Sequence, residues 1–242
     1  MSLFEGIRAL LQFTTIFPIG RSADFDAFAE RSYLYPLAGY LIGGLAALPL
    51  LFIPHPIAAA AIALGLLLLF SGCNHFDGLL DLGDGLMAHG SREVRIRALT
   101  DRQVGAGGVA LGLMITLISF GALSSLPFIP MAVLVAEVSA KASMASLTAL
   151  GRPFREGIHS YLFWRGRPWF VLPAWALTLP LFLLPIQQLA IFAALFGASV
   201  TTLVLLFGGE RLFGGINGDI VGAANEIVRA VVFLSLLIVT GY

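Results

Sequence analysis

The sequence has few charged residues, a single cysteine and no excess of charge of either sign. Charged residues make up 12% of the 242 residues and hydrophobic residues 58%, whereas a soluble domain has roughly a quarter charged. This composition excludes a disordered chain, and a soluble fold could not bury so much apolar surface. The lone Cys73 permits no disulfide within the chain and is too few for a cysteine-based zinc site. A formal charge of zero offers no basic surface for a nucleic acid.

Seven apolar stretches are candidates for membrane-spanning helices, which need about 20 residues, and the second, fifth and seventh of them are short. They are Tyr33–Ile53, Ile57–Asn74, Gly108–Leu126, Pro130–Leu150, Trp169–Leu184, Gln188–Phe207 and Arg229–Tyr242. The sequence therefore predicts an all-α fold, a polytopic helical bundle of about seven transmembrane helices in the lipid bilayer. We expect residues 1–242 to form one membrane domain.

Almost every charged residue lies in four segments between or before these stretches. The segments are residues 1–32, 75–107, 151–168 and 208–228. With seven spans all four lie on one face, and the positive-inside rule makes that face cytoplasmic. We therefore predict a multi-pass protein of the inner (cytoplasmic) cell membrane, with its active site in loops on the cytoplasmic face.

The first 20 residues have the pattern of an amphipathic helix. Apolar side chains recur on one helical face, whereas Glu5, Arg8 and Gln12 lie on the other. This pattern predicts a helix lying in the membrane interface. Further on, Gly39 and Gly43 form a small-residue pair that could pack helices within the bundle or between the copies of a homo-oligomer.

Three aspartates follow the second predicted span. Asp77, Asp81 and Asp84 are spaced i, i+4, i+7 and so share one face of a helix. Carboxylates this close repel one another unless a cation joins them, and oxygen ligands suit Mg²⁺. The alternative is a solvated polar face, which is a poorer account because leucines flank the acids. Nearby His75 is a candidate general base, although a lone histidine is more often simply hydrogen-bonded.

Arginines and glycines downstream are candidate ligands for phosphate. Arg92, Arg95, Arg97 and Arg102 form an anion-binding surface, for lipid headgroups or for a substrate pyrophosphate. The glycines around Gly105 open a predicted span, where backbone amides favour phosphate. Acids beside arginines on one membrane face predict Mg²⁺-dependent phosphoryl transfer.

Two further features leave alternatives open. Glycine-flanked Asp219, in the stretch Gly214–Glu226, is either a further metal ligand or a helix-capping residue. Because a transferred phosphorus and its leaving nucleotide must both lie close to the metal, we expect this stretch to meet Asp77–Asp84 at one site. Glu137 and Lys141 lie four residues apart inside the fourth predicted span. Charged residues at such positions are candidates for function, but an internal ion pair is the favoured interpretation.

The segment from His75 to Gly85, His-Phe-Asp-Gly-Leu-Leu-Asp-Leu-Gly-Asp-Gly, resembles the H-L-D-G-L-A-D-x-x-D-G signature of the cobalamin synthase family, the adenosylcobinamide-GDP ribazoletransferases. Further matching stretches follow the family's order along the chain. They are Phe13–Pro18, Tyr35–Gly39, Asp101 to Gly105, Arg155–Gly157 and Gly214–Glu226. Asn217 replaces the usual threonine, Thr15 a common arginine, and Arg102-Gln103 a Ser-Arg pair, but no carboxylate is lost.

The resemblance implies a specific reaction. The adenosylcobinamide phosphate moiety would pass from adenosylcobinamide-GDP to α-ribazole or α-ribazole 5′-phosphate, with release of GMP, at a late step of cobalamin assembly. The implied cofactor is Mg²⁺, held by Asp77, Asp81 and Asp84. The remaining implied site residues are His75, Asp101 and Asp219 for catalysis and Arg102, Arg155, Gly105, Gly215 and Gly218 for the substrate phosphates.

Two other functions are weaker matches. The signature of CDP-alcohol phosphotransferases begins well at Asp81 but fails where Arg102 and Ala106 stand in place of aspartates. An ion-coupled transporter would conduct through Glu137, Lys141 and the aspartates. However, transporter sites lie at the membrane midplane between repeats, whereas here the charges lie on one face and no repeat is present.

Overall fold

The computed structural model describes residues 2–241, and all the regular structure in this range is helical. The predicted all-α class is therefore confirmed. Short 3₁₀ turns join some of the α-helices. The α-helices in this range are α1 (Leu3–Thr14), α2 (Phe25–Ala29), α3 (Tyr35–Leu50), α4 (Pro56–Phe70), α5 (Asn74–Met87), α6 (Arg92–Leu99), α7 (Ala106–Ser124), α8 (Ile129–Leu150), α9 (Ile158–Arg165), α10 (Val171–Ala176), α11 (Gln188–Phe213) and α12 (Gly218–Thr240).

Five helices of the described chain are long and apolar enough to cross a membrane, or six if α4 and α5 are counted as one broken span. The five are α7, α8, α11, α12 and the helical stretch Ser32–Leu50 that contains α3. The protein is thus a multi-pass membrane protein. Fewer helices pass this test than the seven predicted spans, because the predicted spans that contain α4 and α10 have no single helix of sufficient length. Because α5 is bent by 94° from α4, we treat α5 as lying outside the membrane-spanning segments.

Two predicted spans are not single long helices. The stretch Ile57–Asn74 leaves the helical path after Phe70, where Gly72 and Cys73 both adopt left-handed backbone conformations, with φ of 63° and 59°. The stretch Trp169–Leu184 is divided into a 3₁₀ turn at Pro168–Phe170, the short α10 and a second 3₁₀ turn at Leu179–Leu183. Pro168, Pro173 and Pro180 interrupt this second stretch, because proline lacks the N–H that a continuous helix needs.

The segments 75–107, 151–168 and 208–228, predicted as loops, are largely helical. Helices α5 and α6 occupy most of the first segment, and α9 lies in the second. Only residues 214–217 separate α11 from α12, because α12 begins at Gly218 and not at Arg229. Tyr242, the end of the seventh predicted span, lies outside the described residues.

Helix α8 forms the centre of the bundle. Every residue from Val135 to Ala149 is buried, and most have the small side chains that let membrane helices approach closely. Gly39 of α3 faces this helix, and a Cβ atom on it would lie 2.8 Å from the Cα atom of Val138. Gly43 likewise packs against Glu137. The small-residue pair therefore packs helices within one chain.

The predicted N-terminal helix is present as α1. Gly6, Ala9, Leu10 and Thr14 face the protein. Phe4 is 84% exposed, on the side of the helix that does not pack. This division between a packed side and an exposed apolar side is the one expected of an interfacial helix.

Four buried charged side chains form a network between α8 and α12. Glu137 pairs with Lys141 at 3.1 Å and with Arg229 at 3.0 Å. Arg229 also pairs with Glu226 at 2.7 Å, and Lys141 donates a hydrogen bond to Asn225. The favoured interpretation of Glu137 and Lys141 as an internal ion pair is therefore confirmed. Two positive and two negative charges leave the network neutral, as a membrane interior requires.

Candidate active site

The two stretches predicted to share one site meet where α5 crosses α12. A Cβ atom on Gly78 would lie 2.5 Å from the carbonyl oxygen of Asp219. One turn further along α12, a Cβ atom on Gly222 would lie 3.4 Å from the Cα atom of His75. These glycines let the two backbones touch, and they place Asp219 beside the aspartates of α5.

The carboxylates of this crossing influence one another electrostatically. Asp81 is half-buried, and burial together with the charges of Asp219, Asp77 and Asp84 raises its pKa to about 7. Asp77, by contrast, is exposed. The site is therefore rich in negative charge, a condition that a cation or a bound proton relieves.

Asp84 has a second structural role. One of its oxygens accepts a hydrogen bond from the Gly105 N–H at 2.7 Å, and the other accepts one from Gly108 at 2.8 Å. A carboxylate here caps the start of α7 and interacts favourably with the positive end of that helix. The Gly105 N–H is thus engaged by Asp84.

Asn217 holds Asp219 in place. Its side-chain oxygen accepts a hydrogen bond from the Ile220 N–H at 3.1 Å, which caps α12. Its side-chain nitrogen donates to a carboxylate oxygen of Asp219 at 2.6 Å. An asparagine therefore caps the helix and also orients the acid that follows it.

The turn before α12 is tied to the segment after α8. The Ile216 N–H donates to the carbonyl of Arg152 at 2.8 Å, and the Gly215 N–H donates to Gly209 at 3.2 Å. The Gly215 N–H is therefore used by the fold. Gly218, at the start of α12, is exposed and has open space around it.

The predicted basic and turn residues divide into two groups. Arg155 is exposed and lies close enough to Asp219 for their charges to interact. Asp101 and Arg102 are exposed in the turn between α6 and α7, where the Asp101 carboxylate accepts a hydrogen bond from the Gln103 N–H at 3.0 Å. The structure thus brings Arg155 to the acidic crossing and gives Asp101 a contact within its own turn.

A cavity of about 430 Å³ adjoins this crossing. It is lined by residues from all four charged segments, among them Gln12, His75, His159 and Asp219. The four segments therefore meet at one end of the bundle.

Two buried histidines line the cavity. Burial lowers the pKa of both His75 and His159, so that each imidazole is neutral at pH 7. The Nδ1 atom of each has no hydrogen-bond partner among residues 2–241. Sequence reasoning missed His159, and the only signal for it was its position just after the Arg155–Gly157 turn.

The fit of this site to a metal ion depends on which carboxylates are available. Among residues 2–241, no three His, Cys, Asp or Glu side chains converge closely enough to hold an ion as they stand. The donor chemistry nevertheless suits Mg²⁺, because the carboxylates are close enough to raise the pKa of Asp81. Both carboxylate oxygens of Asp84 accept hydrogen bonds. Asp77, Asp81 and Asp219, by contrast, each keep at least one carboxylate oxygen without a hydrogen bond among residues 2–241.

The apolar helices form a membrane bundle. At one end of this bundle, the acidic crossing lies beside an arginine and adjoins a cavity, which is the arrangement of a membrane-embedded enzyme. The family model of cobalamin-5-phosphate synthase matches residues 6–237. The chain belongs to this family. It is a transferase that acts late in cobalamin assembly, and this membership supports the resemblance over the CDP-alcohol phosphotransferase and transporter alternatives.

Curated relatives match over nearly their whole length. Each of three is an adenosylcobinamide-GDP ribazoletransferase. The protein of Halorubrum lacusprofundi is 37% identical, with 94% of each chain covered. That of Methanocella arvoryzae is 36% identical, with 94% of this chain and 93% of the relative covered, and that of Archaeoglobus fulgidus is 33% identical over 99% of both. No solved structure matches the chain significantly.

Proposed function

We propose that the protein transfers the adenosylcobinamide phosphate moiety from adenosylcobinamide-GDP to α-ribazole or α-ribazole 5′-phosphate, with release of GMP, and that the reaction requires Mg²⁺. The names of the relatives support the substrates. The observation that carries the site assignment is the contact of Gly78 with Asp219, which unites the two acidic stretches.

The residues at the crossing would act in distinct ways. A hydroxyl oxygen of the acceptor attacks the cobinamide-linked phosphorus, and the bond from that phosphorus to the oxygen of GMP breaks. The hydroxyl proton passes to His75 or to one of the aspartates. Arg155 and the free N–H groups at the start of α12 bind phosphate oxygens, and Asp84 positions the start of α7.

Asp77, Asp81 and Asp219 are the residues that would hold Mg²⁺. When bound, the ion neutralises the pyrophosphate and stabilises the leaving phosphate. Asp101 and Gly105 would support the site and not contact the reacting phosphorus, since the Asp101 carboxylate bonds within its own turn and the Gly105 N–H bonds to Asp84.

We also propose that this end of the bundle faces the cytoplasm, in the inner (cytoplasmic) membrane of the cell. The support is the charge distribution, because nearly every arginine lies in the four segments that meet here. The apolar outer faces of α7 and α11 would contact the bilayer.

Isosteric replacement of the carboxylates tests the site. Asp77→Asn, Asp81→Asn and Asp219→Asn should each slow GMP release by at least about a hundredfold, as is typical when a group that stabilises the transition state is lost. GMP release from adenosylcobinamide-GDP and α-ribazole is measured with the purified protein in detergent across a Mg²⁺ titration. Glu93→Gln, at an exposed acid of α6, is the matched control. Near-normal turnover in two of the three variants would contradict the assignment.

A further inference from the structure

The cavity beside the acidic crossing has the size of a small-ligand pocket. Its volume of about 430 Å³ lies within the range of roughly 300–1,000 Å³ found for such pockets. Asp219 and Gly218 form one part of its wall, and Phe13, Met144 and Leu162 contribute apolar surface. A molecule seated there would reach the acidic crossing, but a corrinoid is too large to enter.

The charge of the cavity wall restricts its occupant. Among the described residues that line it, Asp219 is the only one with a formal charge, and none is lysine or arginine. Burying a phosphate there would leave an anion unpaired beside a carboxylate, which is strongly unfavourable. The exposed Arg155 lines a different, open groove at the α8–α9 connection. The cavity therefore suits an uncharged group, and phosphates belong outside it.

His159 lines this cavity, and its ring has a buried nitrogen of defined character. Its Nε2 lies 2.9 Å from the carbonyl oxygen of Gly151, which can only accept, so Nε2 carries the hydrogen. In the neutral imidazole, Nδ1 is then an acceptor. That atom is buried and has no partner among residues 2–241, and buried polar atoms rarely remain unpaired.

We propose that this cavity binds the acceptor substrate as an uncharged nucleoside, with its flat apolar base against the apolar wall and a sugar hydroxyl donating a hydrogen bond to His159 Nδ1. The inference rests on the proposed function and assigns the acceptor, one of its two substrates, to this cavity. A 5′-phosphate on the acceptor would lie outside the cavity, on the side of Arg155.

A matched pair of variants separates this role from a structural one. In His159→Gln the amide nitrogen occupies the position of Nε2 and can keep the bond to Gly151, but no acceptor remains at Nδ1. In His159→Asn the amide oxygen replaces Nδ1, and the bond to Gly151 is lost. We expect the Gln variant to weaken equilibrium binding of α-ribazole by about tenfold, the value of one hydrogen bond, while the Asn variant stays within about threefold.

The measurement uses the full chain in detergent with α-ribazole as the probe, and the KM for α-ribazole in GMP release as a second readout. The reverse order, with Asn the weaker binder, would show that His159 serves only the fold and would overturn the proposal. A change in KM for adenosylcobinamide-GDP instead of α-ribazole would also overturn it. Wild-type protein that binds α-ribazole but releases no GMP would contradict the proposed function, not this pocket.

Cavity size provides an independent test should both histidine variants misfold. Met144→Ala enlarges the cavity and should raise the catalytic efficiency for a riboside with a larger, three-ring base relative to α-ribazole by at least about fivefold. Met114→Ala, on the exposed face of α7, is the control and should leave this ratio unchanged. Equal ratios in the two methionine variants would place the base elsewhere.

Discussion

Asp84 differs from the other carboxylates of α5 because both its oxygens are already hydrogen-bonded to the start of α7. Asp77 is exposed, and Asp81 is half-buried with a raised pKa. Three acids on one helical face thus have different environments. We infer that Asp84 fixes the position of α7, while Asp77 and Asp81 are available to a ligand.

This difference predicts separable effects of two substitutions. Asp84→Asn keeps one acceptor but loses the second bond and the charge, and should lower the free energy of unfolding by about 0.5–2 kcal/mol, the usual range for a helix cap. Asp77→Asn should leave stability unchanged or raise it slightly, because the side chain is exposed and the substitution removes its repulsion of Asp81. Thermal unfolding of both variants in Mg²⁺-free detergent solution measures this. An unchanged Tm for Asp84→Asn would show that the cap contributes little.

At the residue scale, the sequence predicted part of this site. The spacing of Asp77, Asp81 and Asp84 predicted their common face, and the argument for a shared site predicted the approach of Asp219. The hydrogen bonds of Asp84 could not be predicted, since its partners lie 21 and 24 residues away. His159 was missed because a single histidine in a short helix has no periodic pattern.

At the scale of the helices, α3 and α8 pack closely at Gly39. The two backbones approach closely because Gly39 has no side chain, and the nearest atoms across the contact belong to the backbone of α8. Backbone atoms cannot move aside as a flexible side chain can. The contact is therefore intolerant of even one methyl group.

Two glycines of α3 provide a matched test of this packing. Gly39→Ala would place a Cβ 2.8 Å from the Cα of Val138 and should lower the free energy of unfolding by about 1–3 kcal/mol, the usual cost of overpacking. Gly44→Ala meets no atom within 4 Å and should be neutral or slightly stabilising, because alanine favours helices. Thermal unfolding in detergent compares them. Equal Tm values would mean that α3 can shift without cost.

Helix boundaries were predicted less well than the presence of helices. The apolar-run criterion started the seventh span at Arg229, whereas α12 begins at Gly218. The reason is that Glu226 and Arg229 belong to the neutral buried network with Glu137 and Lys141, and these two partners on α8 lie too far away in the sequence to be recognised. In the broken stretch around α10 the prediction made one span where the structure has several short helical pieces. The prediction used apolar composition alone and did not take account of the prolines.

At the scale of the whole molecule, the four charged segments meet at one end. Helix α11 has 26 residues and is about 39 Å long, and its C-terminal end is tied to this end of the bundle through Gly209 and Gly215. Gln188 therefore lies far from the site. The broken stretch Pro168–Leu183 must carry the chain across that distance, although it contains no long helix.

Cysteine labelling can test this arrangement in membrane vesicles. With Cys73 replaced by serine, single cysteines at the exposed positions Ser91, Glu156 and Arg211 should react with an impermeant maleimide only from the cytoplasmic side. Cysteines at exposed His55 and Gln187, in the uncharged connectors, should react only from the opposite side. The positive-inside rule is the physical reason. Labelling of Ser91 and Glu156 positions from different sides would contradict the shared face.

The buried charges of α12 also bear on how the protein is assembled in the membrane. An arginine in the middle of an isolated apolar helix costs about 2.5–3.5 kcal/mol to insert. Arg229 pairs with Glu226 of its own helix, but the rest of the network that neutralises these two residues lies on α8, where Glu137 is 92 residues earlier in the chain. Stable insertion of α12 therefore depends on α8 already being in place, and the insertion machinery must keep the two helices within reach of each other. Because Asp219 opens α12, the carboxylates of the proposed site come together in that same event, and we expect a partly inserted chain to have no transferase activity.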